Sequence, residues 1–378
     1  MAVAGYVLVL VATAYALAAL LCRARTWQGL AAGPPLHKAP RVPITVLKPL
    51  CGMEPRLEAN LATLCQQSWP CYQIVFGVRD PRDPAITVVR RLAKRYPECD
   101  IELVVDARFY GSNLKVSNLI KMMRCARHPL LVVADSDIAA PPDYLEQVSA
   151  PLQDARTGIV TCLYHGRALA NFWSRLGALF IDTWFAPGVR VASTFGSSAF
   201  GFGATIALRA ETLRAIGGFE ALRNRLADDF WLGDLTRRLG LATVLSPLYV
   251  TTDVIEKSFG ELWSRERRWM QTIRSINPAG YAFSFVTFTF PMLAAGLCMA
   301  PSTLNWSVAL VGVCARCALH LQRPAPMLPA PGNMPYAPLR DVLLLLTWLA
   351  AFAGSTTRWR RRTVPIDHAA RGKPRGSP

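Results

Sequence analysis

Apolar residues run from Val3 to Cys22 with no charge among them, enough to cross a bilayer as a helix. No basic residue precedes the run, and Arg23, Arg25, Lys38 and Arg41 follow it. It therefore reads as an uncleaved anchor, with the N-terminus outside and the next domain in the cytoplasm. The proline-rich stretch Gly33 to Pro43 reads as a linker. From Ile44 to about Asp253 the pattern changes. Short apolar runs, Ile44–Leu47, Ile74–Val78, Ile101–Val105 and Leu130–Ala134, are separated by segments of helical spacing such as Pro84–Tyr96 and Lys115–Arg127. Such runs predict buried strands, as in a parallel sheet. The alternation predicts an open α/β sheet with ligands at the carboxyl ends of its strands.

A third pattern begins at Tyr281. Phe283–Ala300 and Leu304–Leu321 are apolar runs of spanning or near-spanning length. Leu339–Ser355 is shorter and starts with Arg340 and Asp341, after a proline-rich joint from Gln322 to Pro338. The tail carries Arg358, Arg360, Arg361 and Arg362 and should stay cytoplasmic. Three full spans would put it outside. Either one run is re-entrant or interfacial, or the charge rule gives way. The expected domains are an anchor at 1–25, a linker at 26–43, a catalytic domain at 44–256, an interface helix at 257–280, a membrane region at 281–357 and a basic tail at 358–378.

Composition narrows the partners. The chain has 378 residues and a formal charge of +17, and about half its residues are apolar. Such a balance suits nucleic acid, an anionic membrane surface or a phosphorylated substrate. The apolar runs favour the last two and leave nucleic acid out. Ten cysteines form no regular framework, which predicts reduced thiols on the cytosolic side. Cys314 and Cys317 have metal-ligand spacing but no second ligand pair, so packing thiols are expected.

The candidate chemistry sits at the ends of the predicted strands. Leu131-Val132-Val133-Ala134 leads into Asp135-Ser136-Asp137. Two carboxylates at i and i+2 past a buried strand can turn toward Mg²⁺ or Mn²⁺ and the diphosphate it bridges. The bare alternative is a solvated turn with an Asp capping the next helix. Asp80 follows the strand Ile74–Val78, where it suits a uracil or ribose, or simply a turn before Pro81. Lys115 and Asn118 lie in Gly111–Leu119, a glycine-led segment suited to phosphate, or an ordinary loop entering a helix. Asp229 opens an amphipathic segment, where it serves as helix cap or as a general base for an acceptor hydroxyl. Arg265 and Arg268 share one face of a predicted helix from about Lys257 to Ile276. They can grip a diphosphate beside Trp269, or lie on anionic headgroups, for which Arg267 and Arg274 remain.

In order, Asp80, Asp135-x-Asp137, Asp229 and Arg265-x-x-Arg268-Trp269 resemble the D, DxD, D, (Q/R)xxRW pattern of inverting GT-A glycosyltransferases of the family 2/21 type. Val46–Leu50, Val78–Pro81, Lys115–Leu119, Thr161–Tyr164, Phe202–Thr205, Gly217–Phe219 and Arg274-Ser275 look like ceramide glucosyltransferases. They look more like the bacterial hopanoid-biosynthesis glycosyltransferases. The resemblance covers roughly Ile44 to Tyr281. It implies a GT-A, Rossmann-like α/β domain with N- and C-terminal membrane helices, in the bacterial inner membrane with the catalytic domain cytoplasmic. Asp80 would contact uridine. Asp135 and Asp137 would hold Mg²⁺ or Mn²⁺, Asp229 would be the base, and Arg265, Arg268 and Trp269 would close over donor and acceptor. Animal ceramide glucosyltransferases carry a histidine-proline pair where this chain reads Asp182–Pro187, with no histidine. The expectation is therefore transfer of a single N-acetylglucosamine from its UDP-sugar to a hopanoid polyol, bacteriohopanetetrol. The alternative is glucose from UDP-glucose to ceramide. Further alternatives are a processive polysaccharide synthase, which normally needs more spans, and a non-catalytic basic membrane-binding protein.

Overall fold

The computed structural model describes the backbone of residues 1–30, 41–321, 331–354, 356–359 and 362–365, and the side chains of 1–22, 41–321 and 332–354. Most of the expected linker, residues 322–330 of the proline-rich joint, and Arg360 and Arg361 of the basic tail lie outside the described residues. The chain forms two compact units. One comprises Thr26–Arg167 and Ala192–Ile255, and the other comprises Met1–Arg25, Ala168–Val191 and Glu256–Pro378. Ala168–Val191, expected within the catalytic domain, thus belongs with the hydrophobic helices.

The first unit is built on one sheet. Its strands are β1 (Ile44–Pro49), β2 (Tyr72–Val78), β3 (Asp100–Val105), β4 (Leu130–Val133), β5 (Ile138–Ala139), β6 (Thr157–Ala168), β7 (Ile206–Arg209) and β8 (Ala242–Val254). They lie in the order β3-β2-β1-β4-β7-β6-β8-β5. β1 to β4 are mutually parallel, as their apolar runs predict. β3 is at the edge and only partly buried. In the other half, β7 runs antiparallel to both β4 and β6, and β5 antiparallel to β8. The core lies between the sheet and its helices, with Val46, Phe76, Val132 and Tyr144 fully or almost fully buried. The helix Ala85–Arg95 packs there through Ala85, Ile86, Val88, Val89 and Leu92, the stripe its 3.6-residue period demands.

The second unit is helical. Ala2–Cys22 and Thr303–Leu321 are long and apolar enough to cross a membrane. Pro278–Thr287 and Thr289–Met299 form a pair bent by 72°, which makes a broken span or a re-entrant loop. The helix Ala337–Ala351 is shorter than a span. Small residues let the helices approach closely. A Cβ on Gly5 would lie 2.7 Å from the Gly296 carbonyl, and one on Gly312 would lie 2.6 Å from Thr13 Oγ1. That is how helices pack in lipid, where apolar burial alone gives little association.

This unit also buries charge. Arg316, inside the apolar run Leu304–Leu321, pairs with Asp341 and donates to the Thr183 carbonyl. Arg340 is fully buried against Glu266, with Nη2 to Oε2 at 2.5 Å and Nη1 to Oε1 at 2.9 Å. Ions in an apolar interior persist only when paired and hydrogen-bonded.

Candidate active site

The sheet register brings the acidic residues together. β7 is antiparallel to β4 with Ile206 opposite Val133. Asp135 lies two residues beyond Val133 and Gly203 three before Ile206, so the two backbones meet past the strand ends. The Gly203 N–H donates to Asp229 Oδ2 at 2.9 Å. A Cβ on Gly203 would lie 3.0 Å from Asp135 Oδ2, 3.0 Å from Lys115 Nζ and 3.5 Å from Asp229 Oδ2. One glycine-sized space is therefore bounded by two carboxylates and an ammonium drawn from three separate parts of the chain.

Lys115 enters from the helix Leu114–Met122, which Asn113 caps by accepting from the Val116 N–H. The Asn113 amide also donates to Asp228 Oδ1 at 3.1 Å and to the Arg225 carbonyl at 2.7 Å. This ties the start of that helix to the start of Asp228–Arg238. Gly111, at φ +79°, permits the approach, since a Cβ there would lie 2.4 Å from the Arg223 carbonyl. Lys115 Nζ sits 2.6 Å from Asp135 Oδ1 and 3.5 Å from Asp228 Oδ2. Burial alone would lower the lysine, but Asp135, Asp228 and Asp229 outweigh it and hold the ammonium well above its ordinary range.

Asp229 is half-buried at the helix start and takes two backbone N–H groups, from Gly203 and from Phe230 at 2.8 Å. Burial, then the Asp228 charge, pushes its carboxyl up to about 6, against the pull of Lys115. A carboxylate in that range suits general-base work near neutral pH. Its neighbour Gly201 is needed as glycine, because a Cβ there would lie 2.5 Å from the Asp229 carbonyl.

The Asp135–Asp137 turn is braced from below. Ser136 donates to Glu54 Oε1 at 2.8 Å, and Thr252 to Asp137 Oδ2 at 2.9 Å. The Asn60 amide and the Asp253 N–H both reach the Asp137 carbonyl at 3.3 Å. Lys48, fully buried, donates to the Ile138 carbonyl at 3.2 Å. Burial, then the charges of Asp135 and Glu54, raises Asp137. Burial lowers Lys48 while Asp137, Asp135 and Glu54 act against it. Sequence reasoning passed over Lys48 as a site residue. Its signal was a lysine directly after the apolar run Ile44–Leu47, within β1, since lysines are almost never buried unpaired.

Among the described residues no group of three or more His, Cys, Asp or Glu is arranged to hold a metal. Asp135 and Asp137 nevertheless fit one. Mg²⁺ and Mn²⁺ are held at such sites by one or two carboxylates, with water and substrate phosphate completing the shell. The space beside Gly203, which a Cβ would fill, lies next to Asp135 Oδ2.

The other expected residues are placed as follows. Asp80 stands past the end of β2, on the same edge of the parallel strands as Asp135, with its side chain 46% exposed. Its carboxyl accepts from the Arg82 N–H at 2.9 Å, and that bond holds it below its ordinary value. Asn118 is buried and donates to the Gly77 carbonyl at 2.6 Å, pinning its helix to β2. Arg265, Arg268 and Trp269 lie in the other unit, on the helix Phe259–Ile276. There Arg265 pairs with Glu256 at 3.0 Å, donates to the Gly177 carbonyl at 3.1 Å and stacks over Trp269. Trp269 packs edge-on against Phe180. Arg267 and Arg274, expected to remain for lipid headgroups, each donate one hydrogen bond to a backbone carbonyl, of Ala353 at 3.1 Å and of Gly354 at 3.0 Å. All ten cysteines are free thiols, and Cys314 and Cys317 join no metal cluster among the described residues.

The sequence model of glycosyl transferase family 21 matches residues 4–371. The chain belongs to glycosyl transferase family 21. Among curated proteins, this family 21 chain is 24% identical over 229 residues to ceramide glucosyltransferase 1 of Caenorhabditis elegans, covering 60% of this chain and 49% of that protein. It is 31% identical over 115 residues to the ceramide glucosyltransferase of Candida albicans, covering 27% of this chain and 21% of that one. The chain thus spans about half the length, or less, of these relatives. Among solved structures it resembles a mannosyltransferase of Pyrobaculum calidifontis in complex with GDP-Man and Mn²⁺. That match has a TM-score of 0.57 at 19% identity and covers 91% of this chain and 99% of that one. The likeness establishes the fold: the first unit of this family 21 chain is a GT-A domain.

Proposed function

We propose that this chain transfers a single sugar from a UDP-sugar to a hydroxyl of a membrane lipid, with inversion, and that the reaction is glucose to ceramide. One observation carries the reading: Asp135, Asp229 and Lys115 converge on the space beside Gly203 at the carboxyl edge of the sheet. The ceramide acceptor is favoured over the expected hopanoid polyol by the names of the curated relatives. A lipid acceptor suits a chain with two helices long and apolar enough to cross a membrane. The charge pattern around the first of them favours a cytoplasmic catalytic domain.

Asp229 takes the proton of the acceptor hydroxyl as its oxygen bonds to the anomeric carbon. The bond from that carbon to the diphosphate breaks on the opposite face, and UDP leaves with the electron pair. Lys115 answers the negative charge of the diphosphate, and Asp80 holds the nucleoside. Asp135 and Asp137 would hold a divalent ion, whose charge stabilises the departing UDP. The roles expected of Arg268 and Trp269 belong to the same proposal. Arg265 enters it as the residue that orients Trp269, because its guanidinium already answers Glu256.

The experiment is mass spectrometry of lipids made by the purified full chain from a panel of UDP-sugars with ceramide and hopanoid acceptors. The reading predicts ceramide carrying one hexose. N-acetylglucosamine on the hopanoid alone would reverse the acceptor assignment, and long polymer would indicate a processive synthase.

A further inference from the structure

An ammonium already stands where a metal's charge would be used. Lys115 Nζ is 2.6 Å from Asp135 Oδ1 and also faces Asp228 and Asp229. Its side chain is 15% exposed, so little water screens the contact. One monocation among three carboxylates leaves the pocket with excess negative charge. That excess repels a diphosphate arriving alone. A divalent ion arriving alone must share Asp135 with a cation at contact distance. Neither has an easy partner until the other is present.

We propose that Lys115 is a resident counter-ion of Asp135 that gives way on donor binding. Its ammonium passes to the diphosphate and releases Asp135 to the divalent ion, so nucleotide and metal bind cooperatively. The inference rests on the metal-assisted reading of this site. The side chain suits the exchange, because a lysine is a compact charge on a flexible four-carbon stem. Its helix stays fixed by the Asn113 cap and by the bond from Asn118 to Gly77, so only the stem has to swing. The coupling is reciprocal: whatever factor UDP adds to metal affinity, the metal adds to UDP affinity.

The test is a titration of the full chain in detergent with Mn²⁺, following free Mn²⁺ by electron paramagnetic resonance, with and without UDP. Wild type is expected to bind Mn²⁺ weakly alone and about tenfold or more tightly with UDP, an ordinary coupling between two sites. In Lys115→Met, Mn²⁺ alone should bind about tenfold tighter than in wild type, with the gain from UDP largely gone. Lys115→Gln is a second neutral variant should the first fail to fold. Lys115→Arg keeps a cation and should behave as wild type. Adding Asp135→Asn to Lys115→Met should cancel the gain. The proposal is overturned if folded Lys115→Met and Lys115→Gln bind Mn²⁺ alone no better than wild type. A wild type that binds neither Mn²⁺ nor UDP removes the metal-assisted site itself, a different failure.

Discussion

Gly203 holds the site open, and its role can be tested in isolation. Alanine there places a methyl 3.0 Å from both Asp135 Oδ2 and Lys115 Nζ, tighter than ordinary contact. Both neighbours are ends of side chains, so the fold should survive while the polar groups shift. Transfer should fall by roughly 10²-fold, the usual effect of displacing reacting groups by about an ångström, with thermal stability nearly unchanged. Steady-state rates beside a melting curve check this. Asp229 makes a second prediction. Its carboxyl is raised to about 6, and a base works only when ionised. Activity should therefore be full above that pH and fall as pH drops through about 6. A rate profile flat from pH 5 to 8 would count against the base role. Of these residues, Asp135, Asp137, Asp229 and Lys115 were legible in the sequence because short motifs at strand and helix ends mark them. Glu256 was not legible as the partner of Arg265, nor Lys48 as a brace of the acidic turn. Both act through side-chain partners that only folding brings near.

At the level of elements, the parallel half of the sheet could be read because β1, β2 and β4 carry apolar runs and are buried almost along their length. The antiparallel half could not. β6 passes from buried to partly exposed along its length and β8 is only intermittently buried, and their pairing depends on contacts far apart in sequence. The apolar run Leu304–Leu321 contains Arg316. Asp341 on the next helix explains how that arginine is tolerated. The pair Arg340–Glu266 ties the helix Ala337–Ala351 to Phe259–Ile276 and is almost wholly buried. Arg340→Met would strand the Glu266 carboxylate, with an expected loss of about 3–5 kcal/mol. Replacing both residues with apolar side chains of similar volume should recover most of that loss. Thermal unfolding in detergent distinguishes the two outcomes. Equal losses in the single and double variants would mean that the pair does more than neutralise itself.

For the whole molecule, the order of motifs along the chain carried the family, which the match over residues 4–371 bears out, and the fold class, which the likeness to a solved GT-A structure bears out. The division into units was less legible. Ala168–Val191 is flanked on both sides by the GT-A strands yet belongs to the helical unit, because Leu176 and Leu179 find their buried partners in Leu262 and Leu343. The proposed metal dependence is tested on the full chain. Removing divalent ions with a chelator should abolish transfer and restoring Mn²⁺ or Mg²⁺ should recover it, since the single charge of Lys115 would otherwise face both the acidic cluster and the diphosphate. The central claim is that the acidic cluster at Gly203 performs the transfer, and Asp229→Asn tests it most directly. The amide is nearly isosteric and neutral at every working pH. Donor binding by calorimetry and sugar transfer by lipid mass spectrometry should be measured on the same preparation. The account predicts UDP-sugar affinity within a few-fold of wild type and transfer lower by about 10²–10⁴-fold. Transfer at the wild-type rate by the folded variant would contradict it.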